Sequence, residues 1–220
     1  MIGKGEMRGL SQYLMSCHPT LDLDDSVLEG LSIFQSELIK WNQTVNLVSR
    51  RHPEQVSARL IMDALYLLSY LNGGEAILDI GSGAGFPSIP ILLCLNVSIT
   101  MVESRRKRAT FLEYITRKLG LRFATVIHAT VTDSFFEHSV TYDILWSKAA
   151  VPFETLFRWG GIVLKPGGRL ILFHPFTKER DRCQIRELAS LHGFLPPSFR
   201  TFHCRDLYLT RTLGVCQKGD

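Results

Sequence analysis

The residues with the clearest chemical potential lie in the stretch DIGSGAGFP, positions 79–87. Gly81, Gly83 and Gly85 alternate there with Ser82 and Ala84, and Asp79 stands just ahead of them. Glycine is costly to order, so a loop this rich in it implies a close approach of backbone to a ligand. Between a strand and a helix, the ligand class such a loop holds is a nucleotide or nucleoside. Dinucleotide cofactors favour GxGxxG; here the spacing is GxGxG, and Phe86 stands where that pattern wants glycine. The departure disfavours NAD and FAD. Phe86 either packs on the ligand or fills space between loop and sheet. Further on, Glu103 closes a second apolar run. A carboxylate at that point can accept from both ribose hydroxyls of a nucleoside. The plainer alternative is a surface Glu opening a helix, where the dipole favours negative charge.

Other chemistries find less support. The cysteines are odd in number, Cys17, Cys94, Cys183, Cys204 and Cys216, and form no CxxC pair. They read as reduced thiols of a cytosolic protein, with Cys94 a core residue. The histidines show no ligand spacing, and adjacent Cys17 and His18 would chelate poorly, so no metal is expected. His128, His138 and His174 receive no role. The N-terminus lacks the apolar segment of a signal peptide. The longest apolar run, near 89–95, is far short of a membrane span. A formal net charge of +4 is compatible with a polyanionic partner without requiring one. Its basic residues include Arg50, Arg51, Arg59, Arg105, Arg106, Lys107, Arg108, Lys148 and Lys165, which suit either phosphate contact or a solvated face. Trp41 and Trp146 read as core.

The elements that must position these residues follow from periodicity and punctuation. Asp24, Asp25 and Ser26 offer a cap to a helix with Val27, Leu28, Leu31, Phe34, Leu38 and Trp41 on one face. A second helix begins near Pro53, carries Val56, Leu60, Ile61, Ala64, Leu65, Leu68 and Leu71, and should end at Asn72-Gly73-Gly74. From Ala76 the pattern changes to short apolar runs alternating with helices. Strands are predicted at 76–80, 98–103, 124–128, 142–146 and within 164–173. The intervening helices start near Pro87, at a Ser104 cap, after Pro152 and at about 178–192. Segments 199–204 and 207–216 should close the chain as an antiparallel pair. Together these predict a doubly wound α/β sheet, residues 76–220, behind a helical cap, residues 1–75.

The pattern ILDIGSGAGFP…TMVES…YDILWS…LKPGGRLIL, over about 76–173, resembles class I S-adenosylmethionine-dependent methyltransferases. That resemblance implies a Rossmann-like fold in which Asp79 and the Gly81–Gly85 loop hold the methionine end of the cofactor and Glu103 holds the ribose. A narrower resemblance covers nearly the whole chain. The stretches WNQTVNLVSRRHPEQVSARLIMDALYLLSYL, GSGAGFPSIP, VESRRKRATFLEYITRKLGL and WSKAAVP are similar to those of the glucose-inhibited division protein B family. These are bacterial methyltransferases that make 7-methylguanosine in 16S small-subunit rRNA.

The family resemblance implies a cytoplasmic enzyme, expected as a monomer, with the small ribosomal subunit or its rRNA as partner. It places Val131 and Thr132 at the adenine and Lys148 at the cofactor as a possible positioning residue. It places Arg59, Arg105, Arg106, Arg108 and Arg211 on RNA. The chain is a divergent member. Where the family reads Arg-His-x-x-Asp-Ser, this chain has Arg59-Leu60-Ile61-Met62-Asp63-Ala64. Ser88 replaces the Gly of Pro-Gly-Ile-Pro, and Lys148 the Arg of Ser-Arg-Ala. Thr130-Val131-Thr132-Asp133 stands for Arg-Ala-Glu-Glu, and His174 for a Lys. Lys148 keeps charge but loses the guanidinium fork. A guanine ring nitrogen carries its lone pair in plane, so no general base is required. Alignment and desolvation would supply the catalysis. Other readings are a non-catalytic cofactor- or RNA-binding paralogue, prompted by these departures, and a methyltransferase of a small acceptor enclosed under the cap.

Overall fold

A computed structural model describes residues 24–136, 141–204 and 209–219. Cys17, His18 and His138 lie outside the described residues. Helix α1, Asp25–Asn42, begins where the Asp24 carboxylate accepts the Val27 N–H at 2.9 Å. This satisfies one of the backbone donors that every helix start leaves open. Helix α2, Pro53–Leu67, runs on into a short 3-10 turn at Leu68–Tyr70. It ends on extended Leu71, ahead of the glycines expected to cap it. Leu71 is buried, and drawing it into the core turns the chain before Gly73 is reached.

The remaining elements are strand β1, Ala76–Ile80; helix α3, Ser88–Cys94; strand β2, Ser98–Glu103; and helix α4, Arg106–Lys118. Then come strand β3, Ala124–His128; strand β4, Tyr142–Ser147; helix α5, Phe153–Val163; and strand β5, Leu164–Phe173. Helix α6, Glu179–Leu191, leads to strands β6, Ser198–Cys204, and β7, Leu209–Gln217. A 3-10 turn at Asp133–Phe136 lies after β3.

The strands form one seven-stranded sheet in the order β3-β2-β1-β4-β5-β7-β6. Strands β1 to β5 run parallel, and β7 lies antiparallel between β5 and β6. From β1 the chain winds outward through β2 to β3, then returns to β4 on the other side. That reversal opens a crevice at the carboxyl ends of β1 and β4, the place where doubly wound sheets bind ligands.

Alternation along the strands feeds two apolar layers. Ile77, Ile99, Met101, Ile144 and Trp146 face one side, where they pack with Phe34, Leu38, Ile61 and Leu65 of the cap and with Phe111 and Leu112 of α4. Leu78, Ile80, Leu145, Leu170 and Leu172 face the other side, against Phe157, Trp159, Ile185 and Phe194. The cap helices share one apolar cluster with the sheet, so the cap is fixed over the carboxyl edge of β1 and β4. Trp146 is fully buried there, and Trp41 packs on Phe111 with ring centroids 5.5 Å apart, as their reading as core required. Among the described residues, no helix is long and apolar enough to cross a membrane.

Candidate active site

β1 delivers Asp79 and then the glycine loop to the crevice. Gly81 N–H donates to Val102 O at 2.8 Å, and Gly85 N–H donates to Ser82 O at 2.8 Å, closing a tight turn. A Cβ on Gly81 would collide with the Ala150 side chain of the loop after β4. One on Gly85, at φ +86°, would press to 2.6 Å from Ile89 and 3.1 Å from Leu112. Gly83 differs: nothing lies within 3.8 Å of its missing side chain, where Arg108 Nη1 and Gly81 O stand. Two glycines therefore seat the loop in the fold, and the third leaves an open face beside Arg108.

Glu103 is buried, which excludes the surface-helix reading. One carboxylate oxygen accepts the Gly83 N–H and the other the Arg105 N–H, each at 2.8 Å. These bonds pin the glycine loop to β2 and open α4, the work expected of Ser104. Two bonds occupy about half of a carboxylate's lone-pair sites. After β3, the Ala129 N–H donates to Glu103 O at 3.2 Å, holding the next loop alongside. In that loop Val131 leans on the apolar layer, and exposed Thr132 keeps its hydroxyl 3.0 Å from that of Ser134.

Asp79 is the most perturbed group in the crevice. It is fully buried between β1 and β4, beside Trp146 in the register. The Ser88 hydroxyl donates to Asp79 Oδ2 at 2.5 Å, while Oδ1 and the nearby Trp146 Nε1 have no hydrogen-bond partner. Burial pushes the Asp79 carboxyl up to about 6, against the pull of the Ser88 hydroxyl. An orphaned, buried acceptor at the foot of a glycine loop suits the cationic end of a ligand. Ser88, a departure from the family pattern, is thus the group that holds Asp79 in place.

The structure corrects several expectations. Phe86 fills space. It is buried on the cap, its ring centroid 5.0 Å from that of Phe34, because α1 covers this side of the loop. Of the residues expected on RNA, Arg59, Arg105 and Arg106 are exposed. Arg108 instead donates to Asn46 O at 2.8 Å, tying α4 to the cap, and Arg211 pairs with Asp63 at 2.9 Å. Lys165 lies at the opposite edge of the sheet, paired with Asp143 at 2.7 Å. His174 gains a partner the sequence does not reveal, Asp181 at 3.4 Å.

Beside the loop lies a cavity of about 300 Å³. It is lined by Asp63 and Ala64 of α2, Lys148 and Ala149 after β4, Phe173 to Pro175 at the end of β5, and Arg211 to Leu213 of β7. Pro87 joins it to the glycine loop. Half-buried Lys148 has its ammonium pKa lowered by burial and by Arg211, against the pull of Asp63 and Asp79. Burial raises the Asp63 carboxyl, while Lys148, Arg211 and Arg59 counter it. Asp63 is the site residue that sequence reasoning passed over; its one signal was the Asp retained in the cap-helix pattern. No group of His, Cys, Asp and Glu among the described residues could hold a metal ion. Burial pushes the Cys94 and Cys216 thiols up to about 12, so neither is a nucleophile.

The sheet order, the switch-point glycine loop and the carboxylate that ends β2 define a class I methyltransferase fold. Solved structures agree. A methyltransferase from Pyrococcus furiosus superposes with a TM-score of 0.64 at 18% identity, covering 87% of this chain and 98% of its own. Fibrillarin from Aeropyrum pernix, solved with natively bound S-adenosyl-L-methionine, does so at 0.53 and 14%, covering 66% of this chain and 67% of its own. Within that class, residues 27–209 match the family described as rRNA small subunit methyltransferase G, and the chain belongs to it. It is 34% identical over 176 residues to ribosomal RNA small subunit methyltransferase G of Desulfitobacterium hafniense, spanning 79% of this chain and 73% of the relative. The same-named protein of Neisseria meningitidis is 33% identical over 149 residues, 67% of this chain and 70% of its own.

Proposed function

We propose that this protein transfers a methyl group from S-adenosylmethionine to a guanine ring nitrogen of 16S rRNA, giving 7-methylguanosine. The observation that carries the reading is the coincidence of family membership with a complete cradle: buried Asp79, the glycine loop and Glu103 fastened to Gly83. Asp79, Gly81, Ser82, Gly83 and Gly85 would hold the methionine end, Glu103 the ribose, and Val131 with Thr132 the adenine. When bound, the cofactor supplies an electrophilic methyl group.

The chain's own part is binding, orientation and exclusion of water. A ring nitrogen attacks with an in-plane lone pair, so no proton need leave first. The cap over the carboxyl edge excludes solvent, and Lys148 positions the acceptor relative to Asp79. Exposed Arg59, Arg105 and Arg106 at the rim suit phosphate contacts, which would make RNA binding weaken with salt. A soluble cytoplasmic enzyme is the setting this substrate implies.

Two measurements test the reading in sequence. Isothermal titration should detect S-adenosylmethionine binding; none at millimolar ligand refutes the first step. Mass-spectrometric mapping of rRNA from a deletion strain should show one 7-methylguanosine lost from 16S rRNA. An unchanged map refutes the substrate.

A further inference from the structure

The cavity beside the glycine loop sets a carboxylate and an ammonium among apolar side chains, a lining that suits one nucleobase. Asp63 lies on the cap side, its carboxylate paired through one oxygen with Arg211 Nε at 2.9 Å. Lys148 lines the same cavity, and Pro87 joins it to the glycine loop. The rest of the lining is mostly apolar, Ala64, Pro87, Phe173, Pro175 and Leu213 among it, with polar Thr212 and the His174 ring. At about 300 Å³ the space is at the small end of ligand pockets, which suits a single base rather than a nucleotide pair.

Enzymes that modify a base extrude it and read its Watson–Crick edge by hydrogen bonds, with apolar groups against its faces. Guanine alone among the common bases presents two adjacent donors there, N1–H and the 2-amino group, followed by an acceptor, O6. A carboxylate accepts from both donors, and a cation suits O6. Adenine offers a ring acceptor to the same carboxylate, and pyrimidines offer at most one donor beside an acceptor. Going round the purine from the donor pair through O6, the next atom in line is N7. A cavity lined by Asp63, Lys148 and the Pro87 end of the glycine loop can therefore meet the donor pair with a carboxylate and O6 with a cation, leaving N7 free.

We propose that Asp63 selects the acceptor base, its carboxylate receiving the N1–H and 2-amino protons of the flipped guanine, with Arg211 holding the carboxylate in place and Lys148 facing O6. The assignment deepens the proposed function and rests on it. Of these residues Asp63 and Lys148 touch the base, while Arg211 acts through Asp63. Partial burial is what gives the contact its selectivity: Asp63 keeps only 18% of its side chain exposed, and an acceptor left there without its donor costs more than it would in water.

The test compares small subunits reconstituted with rRNA carrying guanosine or inosine at the methylated position, inosine lacking only the 2-amino group. Wild-type kcat/KM should favour guanosine by about 10- to 100-fold, the worth of one charge-assisted hydrogen bond. In Asp63→Asn the guanosine rate should fall by a similar factor and the preference should shrink toward one, with S-adenosylmethionine affinity unchanged. A merely structural Asp63 would lower both rates and leave their ratio intact. Equal wild-type rates on the two RNAs, or a preserved ratio in the variant, overturn the inference while the proposed function stands. If the variant does not fold, the wild-type ratio decides alone. No methylation of guanosine RNA by the wild type overturns the proposed function and this inference with it.

Discussion

The glycine-loop cradle and the cavity beside it share one sheet edge yet are built in different ways. The cradle is made of neighbours in sequence and of backbone. Its parts are the loop itself, the N–H groups of Gly83 and Arg105 and the carboxylate that gathers them. The cavity is made of side chains from α2, the loop after β4, the end of β5 and β7, brought together only by the finished sheet. A backbone-built site depends on shape, so changes in it act through stability and cofactor affinity together. A side-chain site can lose selectivity while the fold and the cofactor site stay intact.

The largest effect that would expose this difference is Gly85→Ala. A side chain at φ +86° costs about 1–2 kcal/mol. Its Cβ would also crowd Ile89 and Leu112, at about 1–3 kcal/mol for overpacking. Thermal unfolding should register a loss of roughly 2–5 kcal/mol. Cofactor binding by titration should fall with it. A variant that loses stability but binds the cofactor normally would show that loop shape is not what holds it.

Next is Asp79→Asn, with the opposite sign. The folded carboxyl keeps its proton up to about pH 6, whereas the unfolded one releases it near 3.8. Folding therefore takes up a proton in that window, and stability declines as pH rises from about 4 to 6. A rise of this size corresponds to about 3 kcal/mol withheld from the fold at neutral pH. The amide should recover part of it, giving a higher Tm at pH 7 and a flat profile between 4 and 6. Wild-type cofactor affinity should climb through pH 6 as the carboxylate ionises to meet a cation, and the variant should show no such climb. A group that costs stability and gains affinity is the signature of a functional site.

These two predictions rest on the part of the molecule that was legible from sequence. The strand limits at 76–80 and 98–103 agree with periodicity because buried parallel strands are short apolar runs bounded by glycine, proline or polar turns, and edge strand 124–128, with no residue fully buried, still shows its own short run. Local rules failed where a distant contact outbid them. Leu71 leaves α2 before its glycines because the core takes its side chain, and Glu103 displaces Ser104 as the opener of α4 because it is already bound to Gly83. Phe86 follows the cap instead of the ligand. The pair of Asp63 and Arg211 joins residues 148 positions apart, and no periodicity reports a contact of that range.

That pair supplies the matching perturbation of the cavity. In Arg211→Ala, Asp63 keeps its burial but loses the group that orients it. Truncating one member of a partly buried, hydrogen-bonded pair costs roughly 2 kcal/mol once exposure is allowed for. Methyl transfer to rRNA should drop about 10- to 100-fold, with cofactor affinity unmoved. A loss confined to affinity for the cofactor would erase the division between the two sites.

The smallest effect tests where the two regions touch. Ser88 donates to Asp79 from the first turn of α3 and is fully buried. Ser88→Ala removes that donor and leaves the space nearly filled, so the cost is electrostatic. Hydrogen bonds to charged groups contribute about 1.5 kcal/mol at the low end. Losing this one raises the folded carboxyl further above its unfolded value. The destabilisation should therefore be fullest above pH 6, where wild-type Asp79 is ionised, and should shrink toward pH 4 as the proton arrives in both proteins. Unfolding curves at these two pH values measure the difference directly. Guanosine-over-inosine preference should not move, because Ser88 belongs to the loop and not to the cavity wall. A change in that preference would mean that Asp79, and not Asp63, reads the base.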